Sequence, residues 1–207
     1  MASNEMLSRS VEEFIASVAA KTPTPGGGSV AGVVGALGVA LGEMALNFTL
    51  GKKKFAEFEE YHKHLSQRLA HARQMFFDLV SDDMSAYQLY QDSQKQPDGP
   101  AKEQAVQLAV AAAIDVPRET AKLALAVMAD LLELAPKSNP YLISDLVAAA
   151  VLAQATVKLS DYNVRINAPQ VADAQAGNEL RLASAADVRR AAELLGQVEQ
   201  AASAHLG

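Results

Sequence analysis

The sequence contains no cysteine and no tryptophan, and aromatic residues make up only 5% of its 207 residues. The absence of cysteine excludes disulfide bonds, thiolate nucleophiles and cysteine-ligated metal sites. Positive charge is also scarce, because 18 Lys and Arg oppose 24 Asp and Glu to give a formal net charge of −6. Nucleic acids and anionic membranes are bound by clustered basic side chains, so we expect neither as a partner.

Hydrophobic residues, by contrast, make up 50% of the chain. They recur at the three- and four-residue spacing of helices, and no stretch shows the alternation of a strand. We therefore predict an all-α fold, a single-domain helical bundle over residues 1–207 with about seven to eight helices, one of them very long. The predicted helices cover 11–20, 29–50, 55–93, 101–116, 117–135, 141–159 and 185–206, the last with a cap at Ser184.

Residues 22–42 carry no charge and have about the length of a membrane span. The segment begins with a Pro- and Gly-rich turn and is interrupted by further glycines, so we interpret it as a core helix. The first residues include Asn4 and Glu5 rather than a basic region before an apolar run, which disfavours a signal peptide. We expect a cytoplasmic protein.

Five glycines, at positions 28, 32, 35, 38 and 42, follow one another at three- and four-residue intervals. Each glycine costs about 1 kcal/mol relative to alanine inside a helix. This cost indicates that another helix packs very close to this surface.

Asp83 lies on an apolar helical stripe. At about 100° per residue it falls within the sector occupied by apolar and aromatic residues of the long helix. These are Leu65, Leu69, Ala72, Phe76, Leu79, Val80, Tyr87 and Tyr90. Burial raises the pKa of a carboxyl group toward the range useful for proton transfer, so we interpret Asp83 as a general acid/base. The alternative is a structural carboxylate that is paired with a Lys or Arg, or that faces a solvent gap.

Two polar segments are candidates for ligand binding. The turn at residues 24–29 precedes a helix, so its backbone N–H groups can bind an anion; alternatively it is a tight turn that lets helices pack. Lys52, Lys53 and Lys54 form a dense positive run suited to a flexible carboxylate, or a solvated helix start. The four histidines show no metal-binding pattern, and we predict no metal site.

In order and spacing, several motifs resemble the formiminotetrahydrofolate cyclodeaminase and methenyltetrahydrofolate cyclohydrolase family. They are Pro-Thr-Pro-Gly-Gly-Gly-Ser at 23–29, Gly-Lys-Lys-Lys-Phe at 51–55 and Asp-Met-Ser-Ala-Tyr at 83–87, followed by Asn139, Ile-Ser-Asp at 143–145 and Asn-Val-Arg-Ile-Asn at 163–167. The resemblance covers about residues 7 to 170.

The resemblance implies a homodimer with a folate cleft, a tetrahydrofolate derivative as substrate with or without a polyglutamate tail, and no prosthetic group. It places the family's proton-transferring aspartate at Asp83. The substrate-binding residues it implies are Pro25, Gly26, Gly27, Gly28, Ser29, Lys52, Lys53, Lys54, Asn139, Ser144, Asp145, Asn163 and Asn167. Independently of the family, Ser144 and Asp145 suit a helix start and the asparagines suit turns.

The implied reaction converts N5-formimino-tetrahydrofolate into N5,N10-methenyl-tetrahydrofolate and ammonia. The alternative is hydrolysis of the methenyl bridge to N10-formyl-tetrahydrofolate. We expect no formiminotransferase domain in this chain, and favour the cyclodeaminase, with a role in histidine breakdown. A non-catalytic helical module, which binds folate without turnover or binds another partner, is the alternative of a different class.

Overall fold

The computed structural model describes residues 7–206, and every regular element in that range is helical. Its α-helices are α1 (Val11–Ala19), α2 (Gly27–Asn47), α3 (Glu59–Gln94), α4 (Pro100–Leu134), α5 (Ile143–Asn167) and α6 (Ala174–Leu206). Short 3-10 helices lie at Lys53–Phe58, Ala135–Lys137, Pro140–Leu142 and Ala168–Gln170. The predicted all-α class is confirmed. The predicted number of helices is not, since the described residues form six α-helices.

Three predicted helix boundaries are wrong. The helix predicted to end at residue 159 continues to Asn167 as α5. The other two errors concern Pro117 and Ser184. Pro117 does not separate two helices but lies buried inside α4. Ser184 does not cap the last helix, because α6 already begins at Ala174. The Ser184 hydroxyl instead donates a hydrogen bond of 2.8 Å to Asp161 on α5. In both cases packing between helices outweighs the local signal for a helix end.

Helices α2, α3, α4 and α5 form a four-helix bundle. Each of α2 and α4 packs against both α3 and α5, and α6 packs on the outside against α5 and α4. The largest fully buried side chains of the bundle include Leu46, Leu65, Leu69, Phe76, Met128, Leu131 and Leu146. Burial of each such side chain contributes about 1.5 to 3 kcal/mol, which makes this core the main source of stability.

The glycines of α2 allow its close approach to neighbouring helices. A Cβ atom on Gly32 would lie 2.6 Å from Cγ2 of Val80, and one on Gly35 would lie 2.5 Å from the Phe76 ring. Gly38 and Gly42 face α5 and α4 in the same way. The predicted close packing of another helix on this surface is confirmed.

Two segments, Gly27–Asn47 and Pro140–Gln170, have the length and hydropathy of a membrane span. Within the most apolar 18 residues of each segment, 56% and 44% respectively are buried in the fold. Both belong to the core of the bundle, so these properties alone do not indicate a membrane span. The outer side of α2 nevertheless exposes Leu37 and Met44, and Phe48, the residue that follows α2, is exposed as well. We call these three residues the α2 face. α1 has no buried residue and exposes Val11, Ile15 and Val18.

Candidate active site

Asp83 lies on the inward side of α3, as the apolar stripe predicts. The stripe residues from Leu65 to Val80 are buried in the core, and Asp83 is half-buried one turn beyond them. At this point α3 passes the first turn of α2. The carboxylate therefore meets the start of another helix rather than solvent or a basic side chain.

Two consecutive residues of α2 contact this carboxylate. The hydroxyl of Ser29, which is 0% exposed, donates a hydrogen bond of 2.7 Å to Oδ2 of Asp83. On the other side, Oδ1 approaches the backbone of Gly28 so closely that a Cβ atom there would lie 2.0 Å from it. Position 28 therefore has no room for a Cβ atom, and the hydroxyl of Ser29 holds the carboxylate by a hydrogen bond.

The same contact completes the amino end of α2. Its N-cap residue, Gly26, has no side chain to accept from the first N–H groups, and no side-chain cap is formed within the turn. Asp83 supplies the negative charge from α3, where it interacts favourably with the positive end of the helix dipole. The sequence predicted that this turn binds an anion, and in the structure the turn holds the chain's own carboxylate.

The environment of Asp83 alters its pKa. Burial raises the pKa above the ordinary carboxyl value, while the hydrogen bonds from the hydroxyl and backbone of Ser29 oppose this effect without cancelling it. No lysine or arginine contributes to the shift. The alternative of a carboxylate held in a salt bridge is therefore not supported, and Asp83 can take up and release a proton closer to neutrality than an exposed aspartate.

Asp83 opens onto a cavity of about 240 Å³ between α3, α4 and α5. Aromatic and aliphatic side chains form most of its wall, and a few polar groups converge on it. The lining residues are Asp83, Ala86, Tyr87, Tyr90, Val110, Ala113, Val116, Pro117, Asn163, Asn167 and Gln170. An apolar cavity with a few polar groups and a carboxyl group of raised pKa is typical of an active site.

The sequence matches the family model described as formiminotransferase-cyclodeaminase over residues 10–186. The chain belongs to this family. It is 34% identical to the methenyltetrahydrofolate cyclohydrolase of Methylorubrum extorquens over 179 residues, which are 84% of each chain. It is also 31% identical to the formimidoyltransferase-cyclodeaminase of Mus musculus over 173 residues, 81% of this chain but only 32% of that protein. The chain therefore spans about a third of the bifunctional relatives.

Solved structures give the same result for the family fold. The crystal structure of formiminotetrahydrofolate cyclodeaminase from Thermotoga maritima superposes with a TM-score of 0.87 at 30% identity, covering 95% of this chain and 96% of that one. These comparisons identify the chain as an enzyme of the folate one-carbon family of cyclodeaminases and cyclohydrolases.

Seven of the predicted site residues lie around Asp83 or lead directly to it. Pro25 and Gly26 form the turn before α2, Gly28 and Ser29 contact the carboxylate, and a Cβ on Gly27 would lie 4.0 Å from Nδ2 of Asn163. Asn163 and Asn167 line the cavity. The remaining predicted residues of the family site lie elsewhere.

Lys52, Lys53 and Lys54 lie at the opposite end of the bundle. All three are exposed and lie just before α3, which begins at Glu59. At the rise of an α-helix, Asp83 lies about 36 Å along α3 from Glu59. No long-range ion pair is formed by these lysines among the described residues, although Lys54 lies 5.5 Å from the centre of the Phe55 ring. Within one chain, the family's predicted lysine cluster and Asp83 do not share a cavity.

Asn139, Ser144 and Asp145 lie at that same distant end. The amide of Asn139 donates to the Phe48 carbonyl and accepts from the Tyr141 N–H, both at 3.3 Å, so it joins α2 to the loop before α5. Ser144 and Asp145 occupy the first turn of α5, where an acidic residue is favourable. Asn139 therefore has a structural role, and Ser144 and Asp145 occupy a helix start; a role of the three in substrate binding stays a prediction.

Several cavity residues were not among the predicted site residues, including Val110, Ala113, Pro117 and Gln170. Of these residues, Pro117 alone could have been noticed in the sequence, since a proline within a helical apolar run is unusual. No group of three or more potential metal-binding side chains occurs in the part of the chain that the structure describes.

Proposed function

We propose that this enzyme closes the one-carbon bridge of N5-formimino-tetrahydrofolate, giving N5,N10-methenyl-tetrahydrofolate and ammonia, with Asp83 as the single acid/base. The observation that supports this proposal is the Asp83 carboxyl group: it is half-buried, has a raised pKa, is fixed by Ser29 and opens onto the cavity. A general acid/base needs this combination of a fixed position and a pKa shifted toward the working pH.

In the proposed reaction, N10 attacks the carbon of the protonated formimino group. The Asp83 carboxylate takes the proton that N10 loses as the N10–C bond forms. It then returns this proton to the amino group of the tetrahedral intermediate, so that the C–N bond breaks and ammonia leaves. One carboxyl group suffices because it accepts and donates the same proton, while the cavity holds N5 and N10 in register.

Hydrolysis of the methenyl bridge is the second candidate. It is favoured by the Methylorubrum cyclohydrolase, a relative that matches this chain over 84% of both lengths. Here Asp83 would take a proton from the attacking water and pass it to N5 as the C–N5 bond breaks. The hydroxyl group left on the carbon then releases its proton to solvent, which gives the carbonyl of N10-formyl-tetrahydrofolate. Both reactions pass through closely related tetrahedral intermediates, so the same residues serve either.

An absorbance assay at the methenyl-tetrahydrofolate band separates these candidates. One cuvette receives the formimino substrate and a second receives methenyl-tetrahydrofolate, each beside the Asp83→Asn variant. A rise in the first that the variant lacks supports the cyclodeaminase, and an accelerated fall in the second supports the cyclohydrolase. No change in either contradicts both reactions and favours the non-catalytic module, which a binding titration with tetrahydrofolate would then characterise.

Ser29→Ala tests whether the hydroxyl of Ser29 lowers the pKa of Asp83. Loss of the Ser29 hydroxyl removes a hydrogen bond that lowers the pKa of Asp83, so this pKa should rise further. The acidic limb of the pH profile of kcat/KM, where Asp83 becomes ionised, should then move to higher pH. Ser85→Ala is the control, because Ser85 is an exposed serine on α3, the helix that carries Asp83. A limb that stays in place or moves down would show that Ser29 does not act on the ionisation of Asp83.

We further propose a homodimer in which the partner's lysines reach the Asp83 cavity. The α2 face is apolar, and Leu37 lies at the middle of α2 and is 55% exposed. Antiparallel pairing of two α2 faces about a two-fold axis near Leu37 would place the carboxyl end of one α2 beside the amino end of the other. The partner's Lys52 to Lys54 would then lie near Gly28 and Asp83, in position for a glutamate tail.

Complementation between two defective chains tests this arrangement. Asp83→Asn and a variant with all three lysines changed to Ala are co-expressed with different tags, and doubly tagged dimers are isolated. Each dimer has one site with both intact elements, so activity on a polyglutamylated substrate should recover to about half the wild-type value. Activity no greater than that of the two parents would contradict lysines acting in trans, and failure to recover doubly tagged protein would contradict the dimer.

A further inference from the structure

Pro117 leaves a carbonyl group of α4 without its helical partner. In an α-helix the N–H of residue 117 would donate to the carbonyl of residue 113, but proline has no N–H. The side chain of Asn167 on α5 replaces it, with Nδ2 donating to the Ala113 carbonyl at 3.3 Å. Ala113, Pro117 and Asn167 all line the Asp83 cavity, so this replacement takes place in its wall.

The same amide nitrogen donates a second hydrogen bond, of 2.9 Å, to the Asn163 carbonyl. Both hydrogens of Nδ2 are therefore engaged, and because both partners are carbonyl oxygens the amide has only one consistent orientation. Its oxygen, Oδ1, is the atom left for other partners. The exposed Gln170 side chain reaches it at 3.4 Å, a long hydrogen bond that a ligand can displace.

The cavity thus has a fixed acceptor on α5 and a carboxyl group on α3, while the phenols of Tyr87 and Tyr90 can donate as well as accept. Asn167 Oδ1 and the Asp83 carboxylate accept hydrogen bonds, and α4 contributes apolar side chains to the wall, among them Val110, Ala113 and Val116. Such a wall suits a flat ring with both N–H donors and acceptors along its edge, and the lining residues include no lysine or arginine that would favour a carboxylate. At about 240 Å³ the cavity is also smaller than the roughly 300–1,000 Å³ of sites that enclose a whole drug-sized ligand.

We propose that Asn167 determines specificity in this cavity by accepting a hydrogen bond from the aminopyrimidinone edge of a pterin, and that Pro117 is the positioning residue that fixes its amide. This inference rests on the proposed function, from which the substrate class is taken. It assigns the pterin end of the substrate to the cavity between α4 and α5, and directs the glutamate end outward.

The test compares binding of tetrahydrofolate with that of its 2-desamino-2-methyl analogue, by anaerobic calorimetry on the full chain. Loss of the donor should weaken binding to the wild type about tenfold, the effect of one good hydrogen bond. Asn167→Ala should bind tetrahydrofolate about as weakly and should no longer distinguish the two ligands. Pro117→Ala keeps Asn167 but restores a competing N–H at Ala113, so it should reduce the discrimination in part while the helical circular dichroism is retained.

The outcomes separate this inference from the proposed function. If tetrahydrofolate binds but Asn167→Ala discriminates as strongly as the wild type, the role of Asn167 is wrong and the folate function stands. If Asn167→Ala fails to fold, unchanged discrimination by Pro117→Ala overturns the proposal in the same way. If the wild type binds neither ligand, both the proposed function and the role of Asn167 are wrong.

Discussion

Asp83→Asn should lower turnover by about 10²- to 10⁴-fold, the range expected for removal of a positioned general acid/base. The amide has nearly the same shape as the carboxylate, and its oxygen can still accept from the Ser29 hydroxyl. We therefore expect the helical fold to persist, as monitored by circular dichroism and thermal unfolding. Steady-state assays at several substrate concentrations should show the loss in kcat rather than mainly in KM.

Asp82→Asn is the matched control. Asp82 is the preceding residue on the same helix but is exposed, so this variant removes a carboxylate from α3 without entering the cavity. Its turnover should stay close to that of the wild type. If Asp83→Asn also retains turnover within about tenfold, Asp83 contributes less than general acid/base catalysis normally does, and its role is to complete the first turn of α2.

Gly28→Ala should lower turnover nearly as much as Asp83→Asn, because of a steric clash. The new methyl group would lie 2.0 Å from Oδ1 of Asp83, closer than any real Cβ contact, so the carboxylate must move or the helices must separate. A shift of about 1 Å at a reacting group can cost about 100-fold in rate. Overpacking should also lower the free energy of unfolding by about 1 to 3 kcal/mol, measurable by urea denaturation.

Gly27→Ala is the control for the stability effect. A Cβ there meets only Nδ2 of Asn163, at 4.0 Å, so the unfolding free energy should be unchanged or slightly higher. A second comparison places Gly28→Ala in an Asp83→Ala background, where the opposing oxygen is gone. The destabilisation should then be largely relieved. Equal costs in both backgrounds would show that Gly28 is required for a reason other than its contact with Asp83.

The sequence predicted the position of Asp83 because the signal was local: one charged residue on a long apolar stripe of a single helix. The glycine spacing of α2 likewise predicted close packing. It could not identify the partner of each glycine, since Gly28 meets a carboxylate whereas Gly35 meets the Phe76 ring. Partners depend on which helices become neighbours, and this is decided by the whole core.

The incorrect predictions share a different cause. Pro117 and Ser184 carry strong local signals for a helix boundary, yet each lies within a helix because a group on α5 compensates. Asn167 replaces the hydrogen bond that Pro117 lacks, and Asp161 accepts the Ser184 hydroxyl. Both compensations join residues far apart in sequence, so a local pattern does not contain them. The lysines are a separate case: within one chain they lie far from Asp83 because α3 runs the length of the bundle, and their role in substrate binding stays a prediction.

The placement of Asp83 against the first turn of α2 couples catalysis to local order. An ionised carboxylate holds the amino end of α2 through its dipole, whereas a protonated one holds it less tightly. Each time Asp83 gains a proton, the backbone amides of Gly28 and Ser29 should therefore exchange with solvent more readily. The order of this single helical turn therefore depends on the protonation state of Asp83, and its amides should be less protected from exchange when the carboxyl group is protonated.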